Sequence, residues 1–475
     1  MKYPNPLLIY SAILCFLFSF AGCSNPSEPD QIAETTFNLS HLDYLGEPVD
    51  HLGEALRIIH IYADAPSYAW VGDDDEGQAC IDDAARAAVV YLRHFELTGN
   101  VESAEKAKEL LRFVRYMQTS EGLFHNFVWD NTLRKNTTHQ NSVADRVNWW
   151  AARAVWALGT GARVLAEYDS SFAQLCITSI ENIYPHIDAM TSTYPTTKQV
   201  NGYTMPTWLI NETGSDATSE LLLGLNAVYA FTKEAKYESL IHKIGEGIAL
   251  MQYGASSTAP YGALISWEGG WHGWGNSQTM ALAEAGFIEP AKKEADNFYT
   301  RMLVDGWMHS FPISNPNNIR EFEQIAYATR GVTLGLVRLY QATKNEDYAI
   351  LAGLAASWFT GNNVANTKMY IPLHGYGYDG IDSPENVNIN SGAESTIEAL
   401  FSILEIENIE LSNKWLYASA GEPQSLVLDE KQYRYRSFSV QSNNELETIF
   451  LVSKRTENGY LLLTEAEFQD FNNQN

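Results

Sequence analysis

The sequence predicts a mainly α-helical protein, in which six helical hairpins close into a double-walled ring and a small β-rich appendage follows. Two observations carry this. From about His51 the chain alternates between amphipathic helices and helices that are apolar nearly all round. A helix apolar on every side must be surrounded by protein. The connections are also lopsided, short in one direction and long in the other.

The chain has 475 residues, 45% hydrophobic and 12% aromatic, with a net charge of −27. That composition is globular, and so acidic a surface offers nothing to displace phosphate counterions, which excludes nucleic acid as a partner. Residues 1–22 have the pattern of a signal peptide: Lys2, an apolar run from Leu7 to Phe20, then Ala21-Gly22-Cys23. The last four residues, Phe20 to Cys23, resemble a bacterial lipoprotein signal. That resemblance implies a lipid on Cys23 and a place on the cell envelope, on its periplasmic or cell-surface side. Residues 23–50 form the tether and lead-in, rich in Pro and carboxylates at first. Cys80 and Cys176 are left as buried thiols. No Cys pair has metal-site spacing and the histidines form no HExxH, so no metal and no cofactor is expected.

The ring occupies residues 51–410. Ala104, Ala107, Leu110, Leu111, Val114 and Met117 make one apolar stripe of an outer helix, whereas Ala84 to Leu92 and Trp149 to Leu158 are apolar on all sides. Amphipathic segments begin near His51, Val101, Ser171, Ala235, Pro290 and Asp347. Their buried partners begin near Ile81, Asp145, Asp216, Asn276, Glu323 and Ser391. Phe95-x-x-Thr98, Tyr229-x-x-Thr232 and Tyr340-x-x-Thr343 end three buried helices in the same way, so the pattern is an internal repeat. Ser391 and Glu394 fit a capping box at the last one. Returns from buried to amphipathic helices fall within the ~2–8 residues of helical hairpins, while the opposite connections exceed ~12–15 residues, a length usually kept for function. All long loops therefore lie at one end of the ring.

From His51 to Ile406 this repeat resembles the six-hairpin glycosidase superfamily, the (α/α)6 barrel. Ile81 to Ala88, Gly122 to Phe127, Arg153 to Gly159, Trp358 to Asn363 and Tyr378 to Thr396 are similar to a barrel domain that accompanies some bacterial glycosyltransferases. The glycosyltransferase portion is absent, and no strand–Gly-rich loop–helix nucleotide site is present. Where that domain tends to carry a Glu-Asp pair before its arginine, this chain has Asn148-Trp149-Trp150 ahead of Arg153, with Asp145 the nearest carboxylate. From 411 to 475 short alternating runs between Asn and Gly turns predict the β appendage, expected as a structural cap on the barrel, with glycan binding the alternative.

The long loops combine aromatic and acidic residues. Trp70, His125, Trp129, Trp208, Trp271, Trp274, Tyr376 and Asn390 are the expected sugar contacts, with Arg146 beside them. Flat rings with polar rims suit a sugar's CH face and hydroxyl belt. Glycoside hydrolysis needs one protonated and one ionised carboxyl. Asp82, Asp83 and Glu394 stand at inner-helix N-termini, where the dipole favours the charged form and suits a base, a sugar-hydroxyl acceptor or a helix cap. Glu268, between Trp267 and Trp271, and Asp379, after Tyr376 and Tyr378, are placed where aromatic crowding suits an acid. The expected function is an exported, membrane-anchored carbohydrate-active enzyme. The superfamily resemblance implies an inverting glycoside hydrolase acting on an oligo- or polysaccharide. A polysaccharide lyase using His125, Arg134 and Arg146, a sugar epimerase, and a non-catalytic glycan-binding lipoprotein are the alternatives.

The anchor has a direct test. Cys23→Ala should move the protein from the membrane to the soluble fraction without changing its melting temperature, since the tether alone would carry the lipid.

Overall fold

The computed structural model describes residues 36–442 and 445–473; the leader, with Cys23, lies outside them. No helix among the described residues is long and apolar enough to cross a membrane. The described chain opens with a short helix, α1 (Ser40–Leu45), and a hairpin of strands Gly46–His51 and Glu54–Ile59. Helix pairs follow: α2 (Ile81–Thr98) with α3 (Val101–Tyr116), α4 (Trp149–Val164) with α5 (Ser170–Met190), and α6 (Ser215–Thr232) with α7 (Ala235–Leu250). Next, α8 (Gln278–Glu284) is followed by α9 (Ile288–Lys293), a π-helical turn Glu294–Tyr299 and α10 (Thr300–Asp305). Helices α11 (Ala326–Thr343) and α12 (Glu346–Thr360) form a further pair, and α13 (Ala393–Glu407) is followed by the short α14 (Glu410–Trp415).

Contacts run α2–α4–α6–α8–α11–α13 and back to α2, so the inner helices close a ring. The protein is an (α/α)6 barrel. The first outer element departs from expectation. The segment from His51 was read as an amphipathic helix, but it is the hairpin. Leu52 and Gly53 both take positive φ (56° and 84°), the two-residue turn that suits the strands' twist. Leu56 and Ile58 then face the core alternately with Arg57. The outer layer beside α13 is supplied by α1, α12 and α14 instead.

The returns 99–100, 165–169, 233–234, 285–287, 344–345 and 408–409 are short. Connections 117–148, 191–214, 251–277, 306–325 and 361–392 are long and all lead into the N-termini of inner helices. The repeated Phe/Tyr-x-x-Thr ending has a physical basis. Gly99, Lys233 and Lys344 adopt left-handed φ (72°, 58° and 60°), and their N–H groups donate to the carbonyls of Phe95, Tyr229 and Tyr340.

The C-terminal sheet is antiparallel, with strands Ser419–Ala420, Gln424–Leu428, Lys431–Ser442, Glu445–Lys454 and Tyr460–Thr464, and carries α15 (Glu465–Asn472). Strand alternation splits its faces: Phe438, Val440, Ile449 and Leu451 join the barrel core, while Tyr433 and Val452 pack with Phe468 of α15.

Helices α4 and α6 approach most tightly at Gly159 and Gly224. A Cβ on Gly159 would lie 2.4 Å from the Gly224 carbonyl oxygen, and one on Gly224 would lie 2.5 Å from the Val155 carbonyl. Because backbone is the obstacle, Gly224→Ala should destabilise the fold by about 1–3 kcal/mol in chemical denaturation through overpacking.

Candidate functional site

The barrel interior is apolar at the helix–helix contacts and ionic along its axis. Arg86 (α2), Arg153 (α4) and Arg330 (α11) are buried there, with Glu220 (α6) and Glu398 (α13) fully enclosed between them. Arg86 donates to Glu398 at 2.5 Å, Asp83 at 2.9 Å and Glu394 at 3.1 Å. Arg153 donates to Glu220 at 2.8 Å and to the Tyr327 hydroxyl at 2.9 Å, and lies 2.8 Å from Asp82. Arg330 donates to Glu398 and to Ser277 Oγ at 2.7 Å. Tyr327 donates to Glu220 at 2.5 Å. Burial would push Glu220 up, but the three guanidiniums around it hold its carboxyl below the usual range.

Above this lattice, at the long-loop end, is a cleft with two lobes of about 490 and 230 Å3 that meet at Asp379 and Glu394. Asp82, Asp83, Arg86, Arg153 and Asn390 line the larger lobe. Trp274, Glu323 and Tyr327 line the smaller. Four of the five expected carboxylates therefore converge. Asp379 stands on the long connection 361–392, with its side chain receiving the Ser395 hydroxyl at 2.7 Å. Burial pushes it up to about 6 against that hydrogen bond, and the nearby Glu394 adds to the rise. Asp83, 3% exposed, is also pushed up to about 6 by burial, against the pull of Arg86, and accepts the Cys80 thiol at 3.2 Å. Asp82 accepts Asn126 Nδ2 at 2.9 Å in addition to its contact with Arg153. Glu394 is 47% exposed and has Arg86 as its partner. The expected capping box at Ser391 and Glu394 does not form. Gly392 is the N-cap, Ser391 pairs with Thr396, and Glu394 is drawn to Arg86 instead.

The remaining expected contacts divide. Trp274, 40% exposed, lines the cleft, and Asn390 lines it while accepting the Ala65 N–H at 3.0 Å. Glu268 does not line it: it is 41% exposed and paired with Lys198 at 2.6 Å, while the neighbouring Trp271 is turned into the core. Trp208 and Trp271 are core residues. Trp208 donates its indole N–H to the Lys243 carbonyl, and Trp271 stacks on Phe311. Arg146 is exposed and paired with its neighbour Asp145. Trp70 stacks on His60 at 3.8 Å, Trp129 lies under Arg134, and His125 donates to the Ser142 carbonyl at 2.7 Å. Tyr376 packs between His41 and Tyr68. None of these last four is part of the cleft lining.

Sequence reasoning missed the lattice residues Arg86, Arg153, Glu220, Tyr327, Arg330 and Glu398. The signal was present: a charge inside an all-apolar helix, as in AARAAVVYL, has to meet a partner. It also missed two imidazoles beside Trp274. The ring of His272 lies 5.0 Å from the indole and that of His309 4.4 Å. His272 Nε2 faces Asp216 at 3.1 Å and His309 Nδ1 donates to the Glu323 carbonyl at 2.8 Å, which leaves His272 Nδ1 and His309 Nε2 without partners among the described residues. At the opposite end of the barrel a dish of about 370 Å3 has its charges paired, Arg93 and Arg338 with Glu405 and Arg163 with Glu96.

No protein-family model matches this chain, and no curated protein sequence does. Solved structures do. A D-mannose isomerase superimposes with a TM-score of 0.54 at 12% identity, over 80% of this chain and 100% of that one. A sugar epimerase from a ruminal bacterium gives 0.53 at 11%, over 79% and 98%. The cellobiose 2-epimerase from Bacillus thermoamylovorans B4167 gives 0.52 at 12%, over 74% and 92%. At such identities the likeness establishes the fold: six helical hairpins in a closed barrel.

The titration of Asp379 has a stability consequence. An unfolded Asp titrates near ~3.9. Between that value and about 6 the folded chain keeps a proton that the unfolded chain has lost, so stability falls as pH rises through this window. Asp379→Asn removes the penalty. It should stabilise the protein by roughly 1–3 kcal/mol at pH 7.5, with the gain vanishing below about pH 4 in paired thermal melts.

Proposed function

We propose that this chain is a carbohydrate-active enzyme, an inverting glycoside hydrolase that takes an oligo- or polysaccharide in the long-loop cleft. One observation carries the reading: two carboxyls of opposite character share one cavity. Asp379, pushed up to about 6 chiefly by burial, keeps its proton in mildly acidic solution and is the acid. Glu394, exposed to the cleft and oriented by Arg86, is the base. Asp82 and Asp83 are both engaged by arginine and a second donor, which fits positioning residues.

In this reading Asp379 gives its proton to the glycosidic oxygen as the bond to the anomeric carbon breaks. Water attacks that carbon from the other face and loses its proton to Glu394, which inverts the configuration. Trp274 offers an open indole for a sugar face. The cleft also argues against a lyase acting on uronates. Asp64, Glu76, Asp82, Asp83, Asp379 and Glu394 line it, while its two arginines are already committed to carboxylates. We further place the protein on the envelope, held by a lipid on Cys23. Its narrower likeness to glycosyltransferase-associated barrels suggests service in glycan assembly or turnover.

A sugar epimerase or isomerase is the second reading, and His272 and His309 favour it. Each lies beside the cleft residue Trp274 with one nitrogen on an acceptor and the other buried without a partner among the described residues. Burial lowers His309, which favours the neutral imidazole a base needs. The similar solved structures named an isomerase and epimerases are consistent with it.

Glycan digestion separates the readings. Hydrolysis should release new reducing ends, first as the inverted anomer by NMR, and kcat should fall as pH rises past about 6 as Asp379 loses its proton. Asp379→Asn and Glu394→Gln should each lower kcat by roughly 10²–10⁴-fold with the fold retained. An epimerase would instead exchange the C2 proton of a reducing sugar in D2O without cleavage. Unchanged turnover in both carboxyl variants would refute the site assignment.

A further inference from the structure

A second cavity, about 610 Å3, lies outside the cleft, where the long connections 306–325 and 361–392 meet the C-terminal sheet. One strand, Gln324–Ile325, separates the two. Glu323 and Ile325 line the cleft, and Gln324 between them lines the second cavity, as alternate residues of an extended chain do. Gln324 is 4% exposed. Its Nε2 donates to the Trp307 carbonyl at 3.3 Å, which fixes the carboxamide orientation, and its Oε1 has no partner among the described residues. A buried acceptor left unbonded is costly. A hydroxyl donor delivered into this cavity would satisfy it.

The rest of the lining fits the same kind of molecule. Trp307 is half-buried and Tyr417 is 52% exposed, so each keeps part of a ring open. Glu321 and Glu422 offer acceptors; Lys368 and Arg436 offer donors, with Arg436 anchored through Nε to the Gly421 carbonyl at 2.7 Å. Asp305 is neutralised by Arg434 and Arg455, each at 2.9 Å. Among the remaining lining charges Glu321 and Glu422 offset Lys368 and Arg436, so no large net charge of either sign faces a ligand. Balanced polar groups around aromatic faces suit a ligand that is rich in hydroxyls and uncharged.

We propose that this cavity is a second binding site, for a neutral oligosaccharide, built between the barrel and its C-terminal sheet. It goes beyond the chemistry of the cleft and gives the appendage a binding role beyond capping. Its ligand class comes from its own lining.

The test uses the full described protein as the Asp379→Asn variant, which prevents turnover, titrated calorimetrically with cello-, malto-, manno- and xylohexaose. At least one should bind at two sites. Trp307→Ala, and independently Arg436→Met, should weaken one site at least tenfold. Both should leave the other site intact, and in the parent protein neither should change turnover of a short aryl glycoside. Trp274→Ala should do the reverse, weakening the cleft site only. Thermal melts confirm that each variant is folded, and Arg436→Met stands in if Trp307→Ala is not. The proposal is overturned if no hexasaccharide binds the Trp274→Ala protein, or if Trp307→Ala and Arg436→Met leave every binding step unchanged. A failure of the hydrolase reading looks different: no glycan is turned over, yet the Trp307-dependent site persists.

Discussion

Three guanidiniums inside a ring of helices, without a water shell, are what the rest of this structure must accommodate. Desolvating a charge is expensive unless partners replace the lost hydration. Arg86, Arg153 and Arg330 find those partners on other inner helices, in Glu220, Glu398 and Tyr327. Each bond therefore spans two walls of the barrel, and a shift of one inner helix would strand a charge. This gives the lattice a role that apolar packing cannot supply. Apolar contacts tolerate sliding, whereas hydrogen-bonded ions fix the rotation and height of each helix against the others.

The cleft inherits that registration. Asp83 and Glu394 begin two different inner helices, and both are bonded by the same Arg86. The groups that face a ligand are thus mounted on the charges that hold the barrel together. The carboxyls differ in how much each is engaged. Asp82 and Asp83 each meet an arginine and a second donor, whereas Asp379 is half-buried with a single hydroxyl donor from a side chain and Glu394 is open. Burial with few donors favours the protonated acid, and the neighbouring negative charge of Glu394 acts in the same direction. The strand Gln324–Ile325 places the two cavities back to back, so the appendage side and the cleft side of one loop are built from consecutive residues.

Much of this was legible in the chain. The alternation of all-apolar and amphipathic helices located the inner and outer walls, since burial on all sides is written in composition. The Phe/Tyr-x-x-Thr endings marked helix stops that are local hydrogen-bonding events. Asp82, Asp83, Asp379 and Glu394 were found because helix N-termini and long loops are themselves sequence features. The His51 segment was misjudged because Leu56, Ile58 and Ile59 satisfy a helical stripe as well as a strand's alternation, and only the paired positive φ of the turn decides.

What the sequence determined by itself is therefore what neighbours along the chain govern: helix periods, stops, loop lengths and the end of the barrel at which the long loops gather. What only the tertiary structure decided is how side chains on distant elements share space. Trp271 and Trp274 stand three residues apart on one loop, yet one is sealed in the core and the other opens to the cleft. Glu268 and Asp379 had equal claims as acids until Lys198 was found beside the first and Ser395 beside the second. Burial and charge pairing depend on what the folded chain brings into contact, and for these residues the partners come from other segments of the fold.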